Sequence, residues 1–94
     1  MVVDTTGRVR AEEVSRLARV LADPIRVEIL DLLRASPSEV CQCELAPRFA
    51  VSQPTLSHHL SKLAQAGLVR VSRRGRWAYY SVPDDALEVL ASWL

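Results

Sequence analysis

The sequence predicts a mainly α-helical domain with one small β-hairpin, a dimeric winged helix-turn-helix. Three observations carry that reading. Apolar residues recur at helical spacing in successive stretches that open on capping residues. Two of these stretches are short helices joined by a tight turn over residues 50–52, and the second has a polar outer face. After Gly67 the period changes, and two β-prone runs flank Arg73-Arg74-Gly75-Arg76.

Ninety-four residues make one domain, and a core this small favours pairing with a second copy. Hydrophobic residues make up 49% of the chain, which excludes a disordered class. No apolar run is long enough to span a membrane, and MVVDTTGRVR lacks the apolar stretch of a secretory signal. A cytoplasmic protein without a membrane partner is expected.

Residues 1–10 are small and polar and read as a loose arm; residues 11–94 form the single domain. A first helix is expected near 11–21, with Val14, Leu17, Ala18 and Leu21 on one face and Glu12 and Glu13 favoured at its start by the helix dipole. A second follows near 24–35. Asp23 caps it, Pro24 fits its first position, and Ile25, Ile29, Leu32 and Leu33 form its buried stripe. Val40 suits a short extended segment. A third helix near 44–49 sets Leu45 and Phe49 four apart. The fourth, near 53–66, is capped by Ser52, admits Pro54 in its first turn, buries Leu56, Leu60 and Leu63, and stops at Gly67. The hairpin lies near 68–82. A last helix is expected over 84–94, where Leu87, Val89, Leu90, Trp93 and Leu94 leave little polar surface. The first and last helices are thus the candidate two-fold interface.

Net charge is only +1, yet its distribution is uneven. Between Leu45 and Pro83 there is no Asp or Glu, while Arg48, Lys62, Arg70, Arg73, Arg74 and Arg76 fall there. That half can face phosphate. The outer face of the fourth helix carries Gln53, Thr55, Ser57, His58, Ser61 and Lys62, side chains suited to the donors and acceptors of a major groove. Gln53, Thr55, Ser57 and His58 are the candidate contacts to base edges or nearby phosphates. Lys62, Arg73, Arg74 and Arg76 are the candidate phosphate or minor-groove contacts. His59 points away from His58 and is expected to pack under the helix. No nucleophile–base–orienter set and no phosphate-cradling glycine loop is present, so an enzyme is not expected.

Cys41 and Cys43 are one residue apart. In a cytoplasmic protein such a pair is not a disulfide framework, and a bridge between near neighbours needs a tight ring. Metal or redox chemistry is expected instead.

LADPIRVEILDLL, EVCQCEL, VSQPTLSHHLSKLAQAGLV and RRGRWAYYSV occur in the order found in ArsR/SmtB-type repressors, and over roughly residues 11–83 the chain resembles that family. The resemblance implies a homodimeric winged-helix repressor that sits on an imperfectly palindromic operator and leaves when a metal ion or metalloid binds. EVCQCEL is similar to the cysteine segment of the arsenic-responsive branch. Its first two thiols would map onto Cys41 and Cys43, as ligands for trivalent arsenic or antimony (arsenite or antimonite as inducer). The third thiol position of that branch is Ala46 here. The family's zinc site on the last helix uses Asp and His; this chain has Asp84, Asp85 and Glu88 there but no histidine, so no zinc site is expected on that helix. The alternative is a thiol-redox, persulfide or soft-metal (cadmium or lead) sensor on the same fold.

Residues two apart diverge on a helix and share a side in extended chain. One ion held by both cysteines is therefore expected to pull residues 41–44 out of helical form, shifting Leu45 and Phe49 beneath the reading helix.

Overall fold

A computed structural model of the chain describes residues 5–94. The order of elements is α1 (Thr5–Val20), α2 (Pro24–Ala35), β1 (Val40–Cys41), α3 (Gln42–Phe49), α4 (Gln53–Gln65), β2 (Arg70–Arg74), β3 (Trp77–Ser81) and α5 (Glu88–Trp93). Among these residues no helix is long and apolar enough to cross a membrane.

α1 starts earlier than the apolar spacing suggests. Residues 5–10, expected as part of a loose arm, are helical; residues 1–4 lie outside the described residues. No acid occupies the first turn of α1. Glu12 and Glu13 lie in its interior instead, where Glu12 pairs with Arg8 at 3.6 Å and Glu13 with Arg16 at 2.7 Å. Such exposed pairs add only about 0.2–0.5 kcal/mol each, and none of residues 7–13 is buried, which is why apolar periodicity missed this end of the helix. Among residues 7–20 of α1, only Val14 and Leu17 are buried.

α2 opens as expected: the Asp23 carboxylate accepts the Ile25 N–H at 2.9 Å, and Pro24 stands at its first position. It buries Ile29, Leu30 and Leu33. α4 opens in the same way, with the Ser52 hydroxyl accepting the Thr55 N–H at 3.2 Å. It buries Leu56, His59, Leu60 and Leu63, the three leucines completely. Between α3 and α4 the turn passes through Ala50 in the left-handed conformation (φ 51, ψ 37). A non-glycine residue there carries roughly 1–2 kcal/mol of strain.

β2 and β3 form the expected hairpin, turning at Gly75 (φ +61) with Arg74 opposite Trp77. The sheet has a third member. β1 pairs antiparallel with β3, Val40 opposite Tyr80 and Cys41 opposite Tyr79, giving the order β1-β3-β2. The residues before α3 are therefore fixed to the wing. Leu17, Ile29, Leu30, Leu33, Leu45, Leu56, Leu60, Leu63 and Leu68 meet in one core against Ala78 and Tyr80 of β3.

The last helix is shorter than the expected 84–94. Residues 83–88 make tight turns, with Ala86 N–H on the Pro83 carbonyl at 3.0 Å and Glu88 N–H on the Asp85 carbonyl at 3.1 Å. Leu87 sits at the helix N-cap and has no side-chain oxygen to offer it. α5 packs on α1 and has no buried residue, with Trp93 56% exposed.

Candidate nucleic-acid interface and its thiol pair

The face of α4 opposite its leucines presents Gln53, Thr55, Ser57, His58, Ser61 and Lys62, all exposed. A periodic apolar stripe buried on one side leaves these polar side chains together on the other. His59 is 6% exposed, and its Nδ1 accepts from Arg26 Nε at 3.1 Å. It ties α4 to α2 and belongs to the packing, as its position beside His58 suggested. Thr55 is partly committed to the helix start, since its hydroxyl accepts from Ser52 at 2.9 Å.

The wing stands beside this face. Arg73 and Arg76 are exposed, and the Arg76 guanidinium lies 5.6 Å from the centre of the Trp77 ring. Arg74 is different. It forms an ion pair with Glu39, and its guanidinium stacks 4.2 Å over Tyr79. It braces the hairpin against the segment that enters β1. Glu39 gave no sign of this in sequence, because the contact spans 35 positions between two short elements.

The cysteines sit at the junction of strand and helix. Cys41 ends β1 in extended conformation (φ −68, ψ 138) and serves as N-cap of α3, while Cys43 lies in the first turn. Their Cα atoms are 5.2 Å apart and the sulfurs are joined in a disulfide. This corrects the expectation of an unbridged pair. The Cα separation lies in the usual disulfide range of about 4.4–6.8 Å, and the extended backbone at Cys41 turns its side chain toward that of Cys43, whereas side chains two apart diverge on a continuous helix. The extended backbone also removes the reason for residues 41–44 to unwind, since the sulfurs already share a side. The Cys43 N–H donates to Cys41 Sγ at 3.3 Å. Cys41 is buried and Cys43 exposed.

Between them, Gln42 reaches the reading face. Its side-chain amide donates to Ser57 Oγ at 2.8 Å and to Gln53 Oε1 at 3.4 Å. Its own oxygen accepts from the Tyr80 hydroxyl at 3.4 Å. One side chain thus connects the thiol segment, the reading helix and the sheet. Sequence reasoning missed it, because its partners are 11, 15 and 38 positions away. A cleft of about 300 Å³ lies alongside, lined by Cys41, Cys43, Gln53, Arg73, Arg76 and Trp77 among others. Lys62 and His58 lie further along α4, outside this lining.

As donors, the cysteines fit a soft, thiophilic ion once reduced, since thiolate is the ligand such ions prefer. Ala46 stands where a third sulfur would come from. Among the described residues no group of three His, Cys, Asp or Glu side chains is gathered to hold an ion.

Residues 23–71 match the sequence model of the family described as bacterial regulatory protein, arsR family. The chain is 42% identical over 79 residues to the arsenical resistance operon repressor of Staphylococcus xylosus, covering 84% of this chain and 74% of that one. It is 34% identical over 76 residues to the transcriptional repressor SdpR of Bacillus subtilis, covering 81% and 82%. The homodimeric winged helix-turn-helix DNA-binding domain Mb0332 of Mycobacterium bovis superposes with a TM-score of 0.78 at 28% identity, over 99% of this chain and 84% of that one. With the reading helix, the wing and these relatives together, the chain belongs to the ArsR family of winged helix-turn-helix proteins and is a DNA-binding transcriptional regulator, not an enzyme.

Proposed function

We propose that this protein is a repressor that holds its operator as a homodimer and releases it when trivalent arsenic or antimony binds the reduced Cys41–Cys43 pair. α4 enters the major groove with Gln53, Ser57 and His58 toward base edges and Thr55 toward the edges or an adjacent phosphate. Lys62, Arg73 and Arg76 neutralise phosphates beside that groove, and Arg74 joins them only by leaving Glu39 and Tyr79. The outer faces of α1 and α5 supply the two-fold contact, where Val9, Trp93 and Leu94 are exposed. A two-fold dimer implies a palindromic operator with half-sites about 34–36 Å apart.

The observation that carries this reading is Gln42. It lies between the two cysteines in the chain and donates to Ser57 and Gln53 on the polar face of α4. A ligand spanning the sulfurs repositions the backbone of Gln42, and the two reading side chains go with it. Signal transfer therefore runs through one side chain and needs no unwinding of α3. Similarity to arsenical resistance repressors supports the choice of inducer. An inducer acts only through its different affinity for the DNA-bound and free states, so the test is operator affinity. Titration of the reduced dimer on its own upstream DNA, with arsenite, antimonite, cadmium and lead in turn, gives the largest loss of affinity for the first two. Equal affinity with and without arsenite overturns the inducer assignment.

The bonded sulfurs favour one second reading, a thiol-redox or persulfide sensor in which oxidation itself moves Gln42. Operator release by the oxidised protein without any metalloid, with mass spectrometry locating the modification on Cys41 and Cys43, selects that reading.

A further inference from the structure

The cleft beside the cysteines joins an unequally exposed pair of sulfurs to two arginines of the wing. One sulfur of the disulfide, Cys43 Sγ, belongs to an exposed residue, and the other belongs to Cys41, only 4% exposed. Arg73, Arg76 and Trp77 line the same cleft, and no carboxylate does. The buried sulfur accepts the Cys43 N–H at 3.3 Å at the start of α3. The residue burial favours attack by a thiolate on Cys43 Sγ over Cys41 Sγ, in a cationic setting, with Cys41 Sγ leaving toward the Cys43 N–H.

We propose that this cleft is a docking site for a small thiol bearing a carboxylate, which reduces the Cys41–Cys43 disulfide by exchange. The carboxylate sits on Arg73 and Arg76. The thiol loses its proton to solvent, and its thiolate attacks Cys43 Sγ. The Cys41–Cys43 bond breaks, and its electron pair leaves on Cys41 Sγ, held by the Cys43 N–H. A second equivalent of the thiol attacks its own sulfur in the mixed disulfide, releasing the symmetrical disulfide and leaving both cysteines reduced. The small thiol is oxidised by two electrons and the pair is reduced by two. The inference rests on the proposed function in one respect: only the dithiol can take up arsenite, so this exchange arms the sensor.

The test uses the full-length protein oxidised with diamide. Its reduction is followed by 3-mercaptopropionate, 2-mercaptoethanol and cysteamine, each rate corrected for thiolate fraction and nucleophilicity. The carboxylated thiol reacts about two- to five-fold faster than the neutral one, as expected for a partly exposed charged contact, and the cationic thiol is the slowest. High salt and the Arg73→Ala/Arg76→Ala variant both bring the three rates together. Fragmentation of the quenched intermediate places the adduct on Cys43. Equal corrected rates in the unaltered protein, a preference that survives both treatments, or an adduct on Cys41 overturns the site. Arsenite-driven release by the fully reduced protein is measured in parallel. Release without a charge preference overturns only the docking site, and a charge preference without release overturns only the inducer assignment.

Discussion

α3 and α4 are consecutive helices of one motif, and they are built to opposite standards. α4 is capped by a hydroxyl oxygen, carries Pro54 where a missing N–H costs little, and buries four side chains. α3 is capped by the weak acceptor Cys41 Sγ, buries only Leu45, and ends on the strained Ala50. Pro47 also stands inside it, where an N–H would otherwise reach the carbonyl of Cys43. α4 is thus the better secured of the two by its cap and its buried side chains. In the proposed function, Gln42 is the link through which a change at the cysteines reaches it.

The largest expected effect breaks the packing of α4. Leu60→Ala removes a fully buried side chain and costs about 2–5 kcal/mol, enough to bring a small domain near unfolding. A urea titration with a lower midpoint and unchanged slope checks it. Next comes the thiol pair. Serine at both Cys41 and Cys43 keeps operator binding and abolishes an arsenite effect of about 5–150-fold, read by fluorescence anisotropy. Release that persists in the variant moves the sensor elsewhere.

A milder probe is Ser52→Ala, which strips the α4 cap and costs about 1 kcal/mol, visible as a fall in melting temperature. The smallest effect runs the other way. Ala50→Gly relieves the left-handed strain and, after glycine's own entropic cost, stabilises by about 0.5–1 kcal/mol. If the strain at Ala50 serves sensing, this more stable variant also responds less to arsenite. An unchanged response would separate stability from signalling.

Much of the reading helix was legible because its determinants are local. A hydroxyl at position 52, a proline two residues on, and leucines at helical spacing act within one or two turns of chain. The buried His59 was legible for the same reason, since its neighbour His58 claims the outer face. The start of α1 and the start of α5 were not, because exposed residues and tight turns lie there rather than an apolar pattern.

By itself, the sequence determined the helices that cap themselves, the hairpin around Gly75, the polar face of α4 and the concentration of bases from Arg48 to Arg76. Each follows from residues near one another along the chain. Tertiary structure alone decided that Val40 and Cys41 join β3, that Arg74 is spent on Glu39, and that Gln42 touches the reading face. Those contacts link residues 11 to 40 positions apart, and no local preference of either partner encodes them. They form only when the leucine core has fixed the distances between elements.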